Sequence, residues 1–425
     1  MSRRACYIKP LLTNRAIYCQ IPGSKSQIIR LLLLSTIGKH EVCIRNMNFC
    51  EDVTFTLEAL RQLGCNITKS QSSVNISSGN QIPAKVHLRL KDSATAFRFL
   101  LARLAFEPGV STEIEISTQL LNRPHKPLLQ ALKELGAKII YHSGKFHIAG
   151  TQPKRNFVKL DGQISSQFAS ALLLSAHRFP DRLTIEFTAP PVSKTYLDMT
   201  IAILHQCNVK VENKGLRYTV EPEQTLLIPE MITAEPDASS AGYIWALGTL
   251  SRDGCGVDFA GDNSLQGDFH LLNLLEEMGA IISRNQQGVV VRYGQLRAIS
   301  TDMRDYPDAV PTLVFLSIFA EGETRIRGIN HLRYKESDRV QAMIEELGKI
   351  NVSVKYSNDE LIIRGGVSEP DSIILDSHGD HRLALIFSCL KEIFPRIQVE
   401  GMNALRKSFP EWRKTLSAFG FSRNN

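Results

Sequence analysis

One phrase recurs along this 425-residue chain at nearly constant spacing: a short amphipathic helix ending in Leu-Gly or a close variant, followed directly by a β-branched strand. It stands at Leu63-Gly64, Leu135-Gly136, Gln206-Cys207, Met278-Gly279, Leu347-Gly348 and Phe419-Gly420, in steps of 72, 71, 72, 69 and 72 residues. A period that steady marks six copies of one supersecondary unit. The architecture is constrained before any catalytic residue is considered.

The unit can be read from its own residues. Val340, Met343, Ile344 and Leu347 fall at i, i+3, i+4 and i+7, as do Leu271, Leu274, Leu275 and Met278, and Leu128, Leu132 and Leu135 carry the same face. Gly64, Gly136, Gly279 and Gly348 stand where a helix needs a left-handed terminating residue, and Asn208 takes that place in the third copy. Strand-like runs follow, such as Lys138-Ile139-Ile140 and Val352-Ser353-Val354. One unit of about 70 residues has a thin core, so the copies are expected to pack in groups. Two domains of three units each follow, with the boundary at Ala234-Glu235-Pro236.

Composition excludes several classes. Hydrophobic residues are 43% and charged residues 22% of the chain, an ordinary α/β enzyme balance. No run approaches the roughly 18 apolar residues of a membrane helix, and the basic N-terminus, MSRRACYIKPLLTNR, lacks the apolar core of a secretory signal. Eight scattered cysteines without a CxxC pair predict a reduced cytoplasmic protein lacking disulfides and structural zinc. The net charge is +7, but the cations are spread out and not interleaved with aromatics, which favours small anionic ligands over nucleic acid.

Several motifs carry chemistry. In IPGSKSQIIR, a Pro-Gly turn delivers Ser24, Lys25 and Ser26 to the start of an apolar helix; with Arg30 this makes an anion site, though not a Walker loop. KDSATAFRFL offers Asp92 or Ser93 as a helix cap. Arg123 stands in a Pro-rich turn, Ser165-Ser166-Gln167 precede an apolar run, and Ser193 and Tyr196 stand ahead of the third repeat helix. In the C-terminal half, DMRDYPDAVPTL provides Asp302, Asp305 and Asp308, with Asp308 opening an apolar helix from Val310 to Ala320 as either cap or general base. HLRYKESDR groups Arg333, Lys335, Glu336, Asp338 and Arg339, where the alternative is a solvated charged turn. HGDHR resembles a metal cluster superficially, but two histidines three apart lack further ligands at suitable spacing; Asp380 reads as a cap and Arg382 as an anion ligand. Lys407 precedes the sixth repeat helix. Most clusters sit at helix starts, so N-termini from both domains are expected to converge on one anionic site.

Taken together, the ordered set resembles the 5-enolpyruvylshikimate-3-phosphate (EPSP) synthase family of the shikimate pathway. PGSKS with Arg30, RP at Arg123, SSQF, SKxYxD, PDxSSA from Pro236 to Ala241, PDAxPT, KESDR, DHR and KSFP recur in the family's order between Pro22 and Trp412. The resemblance implies a two-domain inside-out α/β barrel of six βαβαββ units, three per domain. The first domain would span residues 21–234 and the second residues 1–20 and 235–425. It implies enolpyruvyl transfer from phosphoenolpyruvate to the 5-hydroxyl of shikimate 3-phosphate by a cytoplasmic monomer, with no metal, no organic cofactor, and neither nucleic-acid nor membrane partners.

By the same resemblance, Asp308 is the base for the 5-hydroxyl, and Glu336 with Lys25 transfers the proton at C3 of phosphoenolpyruvate. Lys25, Ser26, Arg30, Ser165, Ser166, Gln167, Ser193, Tyr196, Asp308, His331 and Lys335 would hold shikimate 3-phosphate. Lys25, Ala94, Arg123, Gln167, Arg339, Arg382 and Lys407 would hold phosphoenolpyruvate. Two multiply charged substrates need such a cationic shell. Three departures stand out: Asp92 and His331 where many members have Asn, and Ala94 where many have Gly, a change expected to weaken inhibition by glyphosate. The alternatives are UDP-N-acetylglucosamine enolpyruvyl transferase and a non-catalytic RNA-end-binding protein on a related repeat fold. The former often carries a loop cysteine before the arginine matching Arg123, and no cysteine lies between Cys65 and Cys207 here.

Overall fold

A computed structural model of the chain describes residues 17–38, 40–259 and 263–419. The basic N-terminal stretch with Cys6, and the last repeat glycine, Gly420, lie outside the described residues. The chain divides into two compact halves: Gly23–Glu235, and Pro236 onward with the segment up to Pro22.

The repeat is visible strand by strand in the Gly23–Glu235 half. Lys85–Lys91 leads through helix Ala94–Ala105 to a parallel partner, Ser111–Ile116; helix Lys126–Glu134 and the hairpin Lys138–His142/Lys145–Ala149 complete the sheet. Phe157–Leu160, helix Gln167–Leu174, Leu183–Phe187, helix Lys194–Gln206 and the hairpin Val211–Lys214/Arg217–Val220 repeat that βαβαββ order. The first copy borrows its leading strand from the far end of the half, where Met231–Thr233 pairs in parallel with Val42–Arg45.

The Pro236 half is built alike. Ile17–Cys19 supplies the leading strand of the fourth copy, parallel to Cys255–Val257. Ser300–Asp302, helix Val310–Ser317, Glu323–Arg327, helix Arg339–Lys349 and the hairpin Ser353–Ser357/Glu360–Arg364 form the fifth. The sixth is described as Ile373–Asp376, helix His381–Ile393, Ile397–Glu400 and helix Trp412–Ala418.

Sequence dictates which elements go inside. Helices Ala238–Gly248 and Val310–Ser317 carry no charged residue and are buried at every position, and Ala94–Ala105 is buried at all but one, Arg98 and Arg103 included. Strands such as Lys85–Lys91 alternate exposed and buried along their length and turn one face to water, whereas Cys255–Val257 is buried throughout. Helices therefore fill the centre of each half and open sheets clothe it, the inside-out arrangement.

The terminators act mostly as the repeat requires. Gly64, Gly136 and Gly279 have φ of +87°, +107° and +107°, and Asn208 has +63°. Gly348 departs from the expectation: it lies inside helix Arg339–Lys349, and Asn351, φ +58°, takes the left-handed place. The helix runs on because Ile350 buries its side chain beyond Gly348. The apolar helix opened by Asp308 is shorter than expected, ending at Ser317 instead of Ala320.

Candidate active site

In the Gly23–Glu235 half, helix Lys25–Ser35 starts from a turn that only glycine fits, since a Cβ on Gly23 would stand 1.8 Å from the Asn46 carbonyl oxygen. Lys25 Nζ lies 2.8 Å from Asp52 Oδ2, both nearly buried, and Asp52 belongs to the first turn of the next helix, Glu51–Gln62. Arg30 is buried one turn on. Its guanidinium donates to the Ser26 and Tyr196 carbonyls at 2.7 and 3.1 Å and to Thr200 Oγ1 at 2.7 Å, tying two helix starts together. Burial lowers its pKa to about 10, so it remains a cation at neutral pH. Ser193 is buried and left-handed, φ +55°, immediately before helix Lys194–Gln206; Tyr196 thus falls within that helix's first turn and not ahead of it.

Arg98 organises the other helix starts. It is 2% exposed, lies over the Phe168 ring, and donates to Gln167 Oε1 at 2.8 Å and to the Pro124 carbonyl at 3.2 Å. Gln167 Nε2 in turn donates to Thr95 Oγ1 at 3.2 Å, and Ser165 Oγ accepts from the Gln167 backbone N–H at 3.3 Å. Gln167, the turn carrying Arg123 and the helix start at Ala94 are thereby joined through one guanidinium. His125 beside them is pushed down to about 3 by burial and by Arg98, so it adds no positive charge. Ser93 is the N-cap of the Ala94 helix by backbone alone, without a side-chain cap bond, while Asp92 accepts from Ser117 Oγ. Ser166 precedes the Gln167 helix, also without a side-chain cap bond.

In the Pro236 half, one residue gathers the acids. Arg339, 1% exposed, donates to Asp308 Oδ1 at 2.8 Å, Glu336 Oε2 at 3.0 Å and Asp380 Oδ2 at 2.7 Å. Arg382 Nη2 donates to the second Asp308 oxygen at 2.9 Å, and Lys407 Nζ stands 3.2 Å from Glu336 Oε1. Asp380 also caps helix His381–Ile393 through the Arg382 N–H. Burial raises the Asp308 pKa, but Arg382, Arg339 and Lys335 override it and hold the carboxyl well below the ordinary range. His331 is buried and pushed down to about 3 by desolvation, then by Lys335 and Arg339, so it is neutral. Glu336, Asp380 and His381 bring ligand atoms within 4.8 Å of one another, a metal-like spacing, yet Arg339 sits on both carboxylates.

Other sequence candidates stay apart from this cluster. Asp302 is exposed beside Arg304, and Arg333 pairs with Asp338, which caps helix Arg339–Lys349. Sequence reasoning missed Asp52, Arg98 and Asp268. Asp268 is buried, accepts from Ser239 Oγ, and is pushed up to about 6 by burial and by Asp308. Asp52 stands in the first turn of helix Glu51–Gln62, where a carboxylate reads as an ordinary helix-start residue, and Arg98 lies past the first turn of its helix, so neither carried a local signal. The Pro236-half cluster offers fixed cations for anionic ligands and, in Asp308 and Glu336, two carboxyl groups placed for proton transfer.

The comparisons with known proteins agree with one another. The model of the EPSP synthase (3-phosphoshikimate 1-carboxyvinyltransferase) family matches residues 16–416. A 3-phosphoshikimate 1-carboxyvinyltransferase from Syntrophobacter fumaroxidans is 34% identical over 411 residues, 93% of this chain and 95% of that protein. One from Actinobacillus pleuropneumoniae is 33% identical over 405 residues, 92% and 94% of the two chains. The solved EPSP synthase from Acinetobacter baumannii superposes with a TM-score of 0.76 at 23% identity, over 96% of this chain and 97% of that one. An enolpyruvyl transferase from Streptomyces tendae shares the fold at 14% identity, with a TM-score of 0.74 over 96% of each chain. With its family model matched over nearly its whole length, this chain belongs to the EPSP synthase family.

Proposed function

We propose that this chain transfers the enolpyruvyl group of phosphoenolpyruvate to the 5-hydroxyl of shikimate 3-phosphate, releasing phosphate, as a 3-phosphoshikimate 1-carboxyvinyltransferase. The observation that carries the reading is Arg339, which holds Asp308, Glu336 and Asp380 within 3.0 Å while Arg382 and Lys407 take the remaining oxygens of Asp308 and Glu336. The residues assigned here as acid, base and anion ligands in the Pro236 half thus share one network of ion pairs.

On this reading the 5-hydroxyl oxygen attacks C2 of phosphoenolpyruvate, Asp308 takes its proton, and Glu336, with Lys25, protonates C3. The tetrahedral intermediate then loses phosphate as a C3 proton is returned. At rest the cations around Asp308 keep its proton affinity low. When the carboxylate and phosphate of the substrates draw Arg339 and Arg382 onto themselves, the Asp308 oxygens lose those partners and become the stronger base the step needs. Ser26, Arg30, Ser165, Ser166, Gln167, Ser193, Tyr196, His331 and Lys335 are assigned to shikimate 3-phosphate, and Arg123, Gln167, Arg339, Arg382 and Lys407 to phosphoenolpyruvate, with Ala94 beside the latter. The transfer is redox-neutral, so no electron-carrying cofactor is assigned to it.

Purified protein should release phosphate from phosphoenolpyruvate only when shikimate 3-phosphate is present, with the enolpyruvyl ether identified by mass spectrometry. Release that ignores shikimate 3-phosphate, or that requires UDP-N-acetylglucosamine instead, would overturn the reading.

A further inference from the structure

The helices that present Lys25 and Ala94 at their starts, Lys25–Ser35 and Ala94–Ala105, also share a feature at their other ends. Along Ala94–Ala105 the separation from Ala94 to Arg103 is about 14 Å at 1.5 Å per residue. There a cleft of about 170 Å³ is lined by Thr36, Cys65, Gly79, Arg103, His177 and Arg178, among others. Arg103 is 6% exposed, yet no carboxylate lies within ion-pairing distance among the described residues. Its Nη1 donates to the Leu33 carbonyl at 3.3 Å and to Thr36 Oγ1, which caps the end of the first helix. Capping accounts for that nitrogen alone: Nε is buried without a partner.

Arg178 repeats the pattern. One of its nitrogens pairs with Glu107, and its Nε is also buried and unpartnered. Glu107 acts on Arg103 only from farther away. Two guanidinium groups therefore face one carboxylate, leaving an excess positive charge partly withdrawn from water, which is costly unless an anion balances it.

We propose that this cleft binds a small oxyanion of phosphate size, held by Arg103 and Arg178, at a site separate from the candidate active site. Orthophosphate is the probe, because its oxygens suit paired guanidinium donors and it fits the volume. Crystals grown without phosphate or sulfate and soaked in selenate should show anomalous density between Arg103 and Arg178. In solution, Cys65, which lines the same cleft and is half-buried, reports occupancy. Its alkylation by iodoacetamide at about pH 9, followed by peptide mass spectrometry, should slow about threefold or more in saturating phosphate. Arg123→Gln, on the candidate active-site turn, should retain that protection. Arg178→Gln should lose it while keeping shikimate 3-phosphate-dependent turnover. Absent density, density without protection in solution, or protection lost in Arg123→Gln and kept in Arg178→Gln would each overturn the proposal.

Discussion

Glu336 shares its two carboxylate oxygens between Arg339 at 3.0 Å and Lys407 at 3.2 Å, so glutamine preserves its shape and removes its proton chemistry. Glu336→Gln should lower kcat by on the order of 10²-fold or more while shikimate 3-phosphate binding, measured by calorimetry, stays nearly intact. Asp308→Asn should damage both quantities, since it removes the negative charge and puts an amide NH2, a donor, in place of one of the two oxygens that accept from Arg339 and Arg382. Ala94 is buried in the first turn of its helix, 5% exposed, and its methyl occupies space that glycine would leave. A clash in a close-packed site costs about 1–3 kcal/mol, so Ala94→Gly should tighten glyphosate inhibition roughly 5- to 150-fold. Equal inhibition constants would rule that steric effect out. Lys25, Arg339 and Lys407 were legible as charges in motifs, whereas Arg98 and Asp52 were not. Their meaning lies in partners 69 and 27 residues away, Gln167 and Lys25.

The helix terminators differ in what they tolerate. Gly279 has φ +107°, and a Cβ there would stand 2.5 Å from the Gln295 carbonyl oxygen; Gly348 is helical with nothing within 4 Å of an added Cβ. Gly348→Ala should therefore stabilise the protein by about 0.5–1 kcal/mol, the helix cost of glycine relative to alanine. Gly279→Ala should destabilise it, and urea midpoints for the two variants would diverge in opposite directions. The repeat pattern located both glycines but could not separate them, because the same Leu-Gly phrase ends one helix and sits inside another. The deciding factor is Ile350, whose burial carries the fifth helix past its glycine.

For the whole molecule, the buried histidines set the acid limit. His125 and His331, one in each half, are pushed down to about 3 from an ordinary 6.5, chiefly by burial. A folded pKa below the unfolded one gives stability that is present above about 6.5 and lost as pH falls toward 3. Unfolding free energy should thus decline between pH values of about 6.5 and 4, each histidine contributing up to about 1.4 kcal/mol per pH unit. Asp308, with its depressed pKa, adds its loss only below the ordinary carboxylate range. His331→Asn should make the decline shallower in urea titrations across that range, and an unchanged slope would refute the assignment. By itself the sequence determined the six-fold repeat, the helix and strand order and most charged motifs, because periodicity and turn chemistry are local. Tertiary structure decided that Ile17–Cys19 and Met231–Thr233 complete sheets begun far along the chain, and that Arg339 gathers three carboxylates. Strand pairing and buried ion pairs depend on which distant groups meet, and no local pattern encodes that.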